Sequence, residues 1–219
     1  MSVTCPLCNN QDNKFYHRDI RREYWQCNNC ALVFVLPEFY LQAEAEKQEY
    51  DLHENTQNDE GYKRFLNRAA EPLLQRLKPA SIGLDFGCGP APVLANMLRQ
   101  AGHEVFLYDI FYAKDESVWT QTFDFITATE VFEHLHFPQS EFSRLWHHLQ
   151  PGGYLGIMTK LVLDVEAFAR WHYKNDQTHV CFFSRATFIW LAAHYCAKLE
   201  FVGTDVILLQ KPDVEINPR

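Results

Sequence analysis

The sequence lacks both a long hydrophobic run and an excess of positive charge. None of its apolar runs approaches the ~20 residues that a membrane-spanning helix needs, so no membrane partner is expected. Lysine and arginine together number 20 against 28 acidic residues, and residues 38–60 alone hold eight acids against Lys47. Because such a surface repels phosphate backbones, the charge balance disfavours a nucleic-acid partner.

A secretory signal is also missing. The first residues, MSVTCPLC, contain no basic stretch followed by an apolar one, so we expect a cytoplasmic protein. In that reducing compartment the seven cysteines are expected to serve as metal ligands or core residues rather than to form disulfides.

Four of these cysteines form two Cys-x2-Cys pairs near the start of the chain. CPLC supplies Cys5 and Cys8, and CNNC supplies Cys27 and Cys30 after an intervening stretch of 18 residues. Two such pairs surround one tetrahedral metal ion with thiolates, which is typical of a structural zinc site without an open position for catalysis. Residues 1–36 are therefore predicted to form a zinc ribbon. Iron in the same site and four unligated thiols are the alternatives.

The rest of the chain alternates between short apolar runs and segments with helical periodicity. The runs IGLDF, EVFLYD, FDFIT and YLGIMT are separated by amphipathic stretches, which predicts an α/β fold with a doubly wound, mostly parallel sheet. The runs LEFVG and VILLQ, separated by Thr204 and Asp205, predict an antiparallel C-terminal hairpin. We expect a helical linker or lid over 37–80 and a ligand-binding α/β domain over 81–219.

A third glycine is absent from the loop after the first predicted strand of this sheet. LDFGCGPAP has Gly87 and Gly89 at the spacing of a dinucleotide-binding loop, but Pro92 stands where that loop has its third glycine. Pro90 and Pro92 also remove backbone N–H groups that a pyrophosphate would contact. The carboxylate of Asp85 would repel phosphate and attract a cationic amino group. The loop therefore suits a ligand that approaches bare backbone without a pyrophosphate.

A second acidic residue, Asp109, ends the next predicted strand twenty residues after Gly89. An acid at that position accepts hydrogen bonds from ribose hydroxyls in nucleotide-binding sheets. A ligand with a ribose, a cationic amine and no phosphate is S-adenosylmethionine (SAM). The segments LDFGCGPAP, YDI, FDFITATEVFEHL and LQPGGYLGIMT follow one another within residues 62–211. In this order they resemble the class I (seven-strand, Rossmann-like) SAM-dependent methyltransferases.

The resemblance implies a set of cofactor contacts and makes 81–219 the SAM-binding domain. The implied cofactor-binding residues are Asp85, Gly87, Cys88, Gly89, Asp109, Ile110, Thr129 and Glu130. Among them the glycine loop would line the methionine part, Asp109 would hold the ribose diol and Ile110 would lie against the adenine. Only fourteen residues separate Asp109 from Asp124, which leaves little room for the helix and third strand that the family places there. The completeness of the adenine pocket stays open.

Methyl transfer needs an acceptor aligned with the C–S bond and, for an oxygen or nitrogen acceptor, a general base. The candidate catalytic bases are His134, in EVFEHLHFP, and His179, in DQTHVCFF. The alternatives are a helix-start role for His134 and a backbone-bridging role for His179. The resemblance places residues 169–183 beside the substrate cleft. Candidate lid contacts from the preceding helices are Tyr50, His53 and Tyr62.

The leading interpretation is a cytoplasmic SAM-dependent methyltransferase that acts on an oxygen, nitrogen or carbon of a small-molecule acceptor. Its cofactors would be SAM and a structural Zn²⁺ in the ribbon. The alternatives are an RNA or protein methyltransferase that uses the ribbon as a reader, and a SAM-binding module without turnover. Residues 1–36 hold four basic residues against three acids, a net charge of only +1, which is little for an RNA reader.

Overall fold

The computed structural model describes residues 3–52 and 59–213, and these residues form two sheets and six helices. The strands are β1 (Asn13–Arg18), β2 (Glu23–Cys27), β3 (Val33–Val35), β4 (Ile82–Phe86), β5 (Glu104–Tyr108), β6 (Phe123–Thr129), β7 (Leu149–Met158), β8 (Cys181–Phe182), β9 (Lys198–Val202) and β10 (Val206–Gln210). The helices are α1 (Ala43–Asp51), α2 (Glu60–Leu74), α3 (Val93–Gln100), α4 (Pro138–His148), α5 (Val165–Ala169) and α6 (Arg185–His194).

The larger sheet has the strand order β5-β4-β6-β7-β10-β9. Strands β5, β4, β6 and β7 are parallel, whereas β10 runs antiparallel to both β7 and β9. The predicted α/β fold, with its mostly parallel sheet and antiparallel C-terminal hairpin, is confirmed. Because parallel strands end at the same edge of a sheet, the loops after β4, β5 and β6 converge there.

The two faces of this sheet bury different clusters of side chains, as the alternation of a strand requires. On β6, Phe125 packs with residues of α2 and α3, while its neighbour Ile126 packs with residues of α4 and α6 on the opposite side. Helices therefore cover both faces, which explains why these strands read as nearly continuous apolar runs. No helix within 3–52 and 59–213 has both the length and the apolar character needed to cross a bilayer.

Strand β5 lies at one edge of the sheet. In the following segment, Asp109 and Ala113 form an isolated bridge, and a short 3-10 helix spans Glu116–Thr120. The stretch between Asp109 and Asp124 therefore contains neither an α-helix nor a further strand of the sheet. This is the segment in which the sequence leaves little room for either element.

The cysteine-containing N-terminal segment joins the rest of the chain through the smaller sheet, which has the order β1-β2-β3-β8. Strand β3 pairs antiparallel with β8, so that Val33 lies opposite Phe182 and Phe34 lies opposite Cys181. Tyr24 is fully buried within the same apolar cluster as residues of α4 and α6. The N-terminal segment thus shares a core with the α/β sheet, and the division at residues 36 and 80 stays a prediction.

Candidate functional site

A cavity of about 1190 Å³ opens at the carboxyl edge of the parallel strands. This volume lies slightly above the ~300–1,000 Å³ of a typical ligand site. Its lining includes every residue that the sequence assigns to the cofactor and both candidate bases: Asp85, Gly87, Cys88, Gly89, Asp109, Ile110, Thr129, Glu130, His134 and His179. Tyr50 and Tyr62 line it as well, whereas His53 lies outside the described residues.

The glycine loop begins directly after β4 and contacts the end of β5. Gly87 N donates a hydrogen bond to the carbonyl oxygen of Tyr108 at 2.7 Å. Gly87 and Gly89 have φ angles of +73° and +64°, which are unfavourable for residues with a Cβ atom. A Cβ on Gly87 would overlap the side chain of Val131, whereas a Cβ on Gly89 would meet nothing within 4 Å. Gly87 is therefore required for packing, and Gly89 leaves the backbone open towards the cavity.

Asp109 ties the glycine loop to the loop after β5. One carboxylate oxygen accepts from Gly89 N at 2.9 Å, and the other accepts from Phe111 N at 2.8 Å and Tyr112 N at 3.1 Å. A carboxylate offers about four acceptor positions, so one remains for a ribose hydroxyl. Next to it, Ile110 is 62% exposed and borders the cavity. The structural role of Asp109 in fixing Gly89 was not predicted.

Asp85 is a buried carboxyl group at the floor of the cavity. Only 3% of it is exposed, and Thr127 Oγ1 donates a hydrogen bond to it at 2.8 Å. Burial raises the pKa of Asp85 to about 6, because a desolvated carboxylate is disfavoured. A bound cationic group would stabilise the ionised form, which agrees with the amino-group contact implied for this residue.

Glu130 follows the end of β6 in a left-handed conformation. Its φ is +53°, and its N–H donates to the carbonyl oxygen of Met158 at 2.8 Å. Burial, together with the nearby charge of Glu133, raises the pKa of Glu130 to about 8. Its Oε1 atom is buried without a hydrogen-bond partner among the described residues. A buried polar atom of this kind indicates a missing ligand or water.

Glu133 lies one turn further along and is only 1% exposed. One of its oxygens accepts from the hydroxyl of Tyr173 at 2.5 Å, and the other accepts from Thr159 Oγ1 at 2.9 Å. Burial raises the pKa of Glu133 to about 7. No role was predicted for Glu133. Its position next to the candidate base His134 in the segment EVFEHL is the signal that could have found it.

The two candidate bases lie beside each other. The ring centroids of His134 and His179 are 4.6 Å apart, and the ring of Tyr50 from α1 lies 5.1 Å from that of His134. His179 Nδ1 lies 2.7 Å from the carbonyl oxygen of Tyr173. Because a carbonyl oxygen can only accept, Nδ1 carries the proton.

The protonation state of His179 follows from its surroundings. It is 7% exposed, and burial lowers the pKa of His179 to about 4, so the ring is neutral at pH 7. With the proton on Nδ1, Nε2 keeps its lone pair, 3.6 Å from a carboxylate oxygen of Asp176. The Nδ1 contact gives His179 the backbone-bridging role that was the alternative, and the role of a base stays a prediction.

The segment that carries His179 is held from the N-terminal side of the chain. Arg22, only 5% exposed, donates to the carbonyl oxygens of Lys174 at 2.8 Å, Asp176 at 2.7 Å and Gln177 at 3.1 Å. A backbone hydrogen bond of 3.0 Å joins Val35 N to the carbonyl oxygen of Val180. Sequence reasoning did not identify Arg22, because nothing local distinguishes it from an exposed arginine of a hairpin.

The four paired cysteines form a second cluster, and none of them lines the cavity. The Sγ atoms of Cys5 and Cys30 are 3.6 Å apart, those of Cys8 and Cys27 are 3.4 Å apart, and all four lie within 4.8 Å of one another. Four thiolates at 2.3 Å from one zinc ion would be about 3.8 Å apart, so this donor set fits a tetrahedral zinc site.

Comparisons with known proteins agree with this architecture. The family model described as a methyltransferase domain matches residues 52–195, and the chain belongs to that family. A search of curated proteins gave no match. Fold and family together define a class I SAM-dependent methyltransferase.

Similar solved structures include an O-methyltransferase family protein from Burkholderia thailandensis, with 12% identity and a TM-score of 0.51 over 80% of this chain and 61% of that one. Another is the 1,6-didemethyltoxoflavin-N1-methyltransferase of the same organism, with bound 1,6-didemethyltoxoflavin and S-adenosylhomocysteine. It has 16% identity and a TM-score of 0.49 over 91% of this chain and 100% of that one. A third is the Haloferax volcanii complex between the Trm112 methyltransferase activator and a methyltransferase, with 12% identity, a TM-score of 0.49 and coverage of 78% and 99%. At such identities the likeness concerns the fold.

Proposed function

We propose that this methyltransferase binds SAM over the glycine loop and transfers its methyl group to a small molecule in the same cavity. The observation that carries the proposal is the convergence of all the implied cofactor residues and both candidate bases on one cavity. Bound SAM supplies an electrophilic methyl group on a sulfonium. The chain has to orient the acceptor, exclude water and free the acceptor's lone pair.

The cofactor side of the cavity consists of Asp85, the glycine loop and Asp109. Asp85 would face the amino group of the methionine part, because its buried carboxylate lines the cavity next to the glycine loop. Asp109 would use its remaining acceptor position for the ribose. Ile110 would cover the adenine from one side, and Thr129 and Glu130 would border the transfer site.

The acceptor side consists of His134, His179 and the carboxyl groups around them. For an oxygen or nitrogen acceptor, the lone pair on His179 Nε2 would take the proton, with the Tyr173 carbonyl fixing the tautomer. His134 would contact the acceptor from the adjoining wall. The lining of the cavity includes eight acidic residues against three basic ones, Lys114, Arg144 and Lys160. Such a lining disfavours a phosphate-bearing acceptor, which supports a small molecule rather than RNA.

The thiolate cluster would hold a structural zinc ion. Its ligands would be Cys5, Cys8, Cys27 and Cys30, whose spacing fits the ion. The ribbon over residues 1–36 would then brace the acceptor side, because β3 pairs with β8 and Arg22 holds the preceding segment. Residues 37–80 would form the lid, and 81–219 the SAM-binding domain.

Calorimetry with S-adenosylhomocysteine tests the cofactor assignment. Asp109→Ala should weaken binding by about 1–3 kcal/mol, because it removes a charged hydrogen-bond acceptor and releases Gly89. Asp115→Ala is the matched control, since it also removes an acidic cap but from an exposed turn whose cap residue does not line the cavity. Equal affinities of the wild type and Asp109→Ala would contradict the assignment.

The reaction itself is tested with SAM that carries a labelled methyl group. The purified protein is incubated with small-molecule, RNA and protein fractions of a cell extract. Transfer of the label to the small-molecule fraction supports the proposal. Transfer to RNA or protein alone would contradict the proposed acceptor class. SAM binding without any transfer would indicate a SAM-binding module without turnover.

A further inference from the structure

The acceptor side of the cavity contains a cluster of metal-ligating side chains that is separate from the thiolates. Glu133, His134 and His179 each offer one ligand atom, and these atoms all lie within 4.8 Å of one another. Two imidazoles and one carboxylate on one side of a cavity are the donor set that divalent first-row metals accept while keeping positions open for substrate. We propose that these three residues form a binding site for a divalent cation, beside the methyl-transfer position.

Two of the three ligands are already oriented by neighbouring groups. The hydrogen bond from His179 Nδ1 to the Tyr173 carbonyl directs Nε2 towards the cluster. The Glu133 carboxylate is fixed by the hydroxyls of Tyr173 and Thr159, and each oxygen keeps a lone pair. Outer hydrogen bonds of this kind, to a carbonyl behind a histidine and to a carboxylate, are typical of metal sites.

A fourth donor lies next to the cluster. Glu130 stands three residues before Glu133, and its Oε1 atom is buried without a hydrogen-bond partner among the described residues. Glu133 is close enough for its charge to act on Glu130. That oxygen could bind a cation, which would reduce the repulsion between the carboxylates of Glu130 and Glu133.

The distances permit a cation after a small adjustment. His134 Nε2 lies 4.0 Å from the nearer oxygen of Glu133. Ligands about 2.1 Å from one metal ion are ~3.0–3.4 Å apart, so the three side chains would have to approach one another by about 1 Å. Among these three side chains His134 is the most exposed, at 17%.

This inference rests on the proposed function and narrows its acceptor class. A cation here would bind an acceptor through oxygen and lower the pKa of its hydroxyl. The acceptor O–H bond would lose its proton to solvent, the oxygen would form a bond to the methyl carbon, and the C–S bond would break with its electron pair left on sulfur. His179 would then act as a ligand instead of a base. The acceptor would be a hydroxylated small molecule with a second oxygen able to chelate.

The test is a titration of the zinc-loaded, full-length protein with Mn²⁺, with and without S-adenosylhomocysteine. Mn²⁺ suits oxygen and nitrogen donors and competes poorly for thiolates, so the ribbon keeps its own ion. The signal of free Mn²⁺ in electron paramagnetic resonance should show one bound equivalent. His134→Ala and Glu133→Gln should each weaken binding at least tenfold. His172→Ala, at an exposed position on the lining of the same cavity, should leave Mn²⁺ binding unchanged.

The outcomes separate this inference from the function on which it rests. Retained S-adenosylhomocysteine binding without saturable Mn²⁺ binding would overturn the cation site alone. Equal Mn²⁺ affinity in the wild type and His134→Ala would do the same, and that variant changes a partly exposed side chain whose loss the fold should tolerate. Failure of the protein to bind S-adenosylhomocysteine at all would overturn the proposed function instead.

Discussion

The cofactor side and the acceptor side of the cavity differ in the sequence separation of the contacts that build them. On the cofactor side, the hydrogen bond from Gly89 to Asp109 spans 20 residues, and both residues follow neighbouring parallel strands. On the acceptor side, the hydrogen bonds from Arg22 reach across 152–155 residues to the segment that carries His179. The first side is a property of the α/β sheet, whereas the second depends on the N-terminal segment that we propose to be a zinc ribbon.

This difference implies that the two sides can fail separately. Damage to the ribbon should first release residues 172–180, since Arg22 and the β3–β8 pairing hold them from that direction. Damage to the glycine loop should first affect the cofactor. Each of the following variants alters one side of the cavity, and a measurement on the other side shows whether that side stays intact.

The largest effect is expected from loss of the metal ion that we propose for the four thiolates. Cys27→Ser should release about one equivalent of metal, because metal binding supplies on the order of 10 kcal/mol or more of the folding free energy in small thiolate sites. Hydrogen exchange should accelerate most in β1–β3 and in residues 172–183, and less in β4 and β5. Metal analysis and exchange measured by mass spectrometry check both expectations.

Cys196→Ser is the matched control for this experiment. Cys196 is also a free cysteine, although it is less buried than Cys27, and it stands just after α6, apart from the thiolate cluster. It should retain the metal and the wild-type exchange pattern. Full metal content in Cys27→Ser would refute the ribbon assignment.

The next effect is expected at Gly87, on the cofactor side. Gly87→Ala should lower the free energy of unfolding by about 3–4 kcal/mol, since a Cβ at φ +73° is strained and also overlaps Val131. Gly89→Ala should cost only about 1 kcal/mol, because the added Cβ meets open space. Combining Gly87→Ala with Val131→Ala should recover the part of the lost stability that is due to the overlap. Urea denaturation of the wild type and these three variants measures the free energies of unfolding. Equal losses for Gly87→Ala and Gly89→Ala would contradict the prediction.

A smaller effect is expected at Arg22, on the acceptor side. Arg22→Met keeps the apolar stem but removes hydrogen bonds to three carbonyl oxygens, so we expect a loss of about 2–3 kcal/mol in unfolding free energy. S-adenosylhomocysteine affinity should stay within twofold of the wild type, while methyl transfer and exchange protection over 172–180 fall.

The neighbouring arginine provides the control. Arg21 is exposed, and its side chain donates one hydrogen bond, to the carbonyl oxygen of Asn175 at 3.0 Å. Arg21→Met should change the free energy of unfolding by less than ~0.5 kcal/mol. Similar losses in both variants, or a loss of cofactor affinity in Arg22→Met, would show that the two sides are not separable.

The same contrast explains what could be predicted from the sequence. The position of Asp85, Gly87 and Asp109 on one cavity could be predicted, because glycine and acid positions after consecutive strands have a local physical meaning. The lack of a further strand between Asp109 and Asp124 followed from length alone. The pairing of β3 with β8 and the burial of Arg22 could not be predicted, since both depend on where a separate sheet docks. No chemical role was predicted for Glu133, because burial, which makes a carboxyl group informative, is not visible in a single sequence.

The smallest effect is expected at Asp85, and its sign depends on pH. Burial places the pKa of Asp85 at about 6 in the folded protein, above its ordinary value of 3.8. The folded state therefore binds the proton more tightly, and the buried charge destabilises it increasingly from pH 4 to 6 and by a constant amount above. That shift corresponds to at most about 3 kcal/mol, and an unpaired amide N–H₂ would offset part of the gain from Asp85→Asn. We expect the variant to be about 1–2 kcal/mol more stable than the wild type at pH 7.5 and no more stable at pH 4, although it binds S-adenosylhomocysteine less tightly.

Asp115→Asn should show no such gain, because the exposed Asp115 carboxylate has its pKa lowered by the hydrogen bond from Ser117. Urea denaturation at the two pH values measures the difference in stability between Asp85→Asn and the wild type. A difference that does not change with pH would mean that Asp85 is not a desolvated carboxyl group.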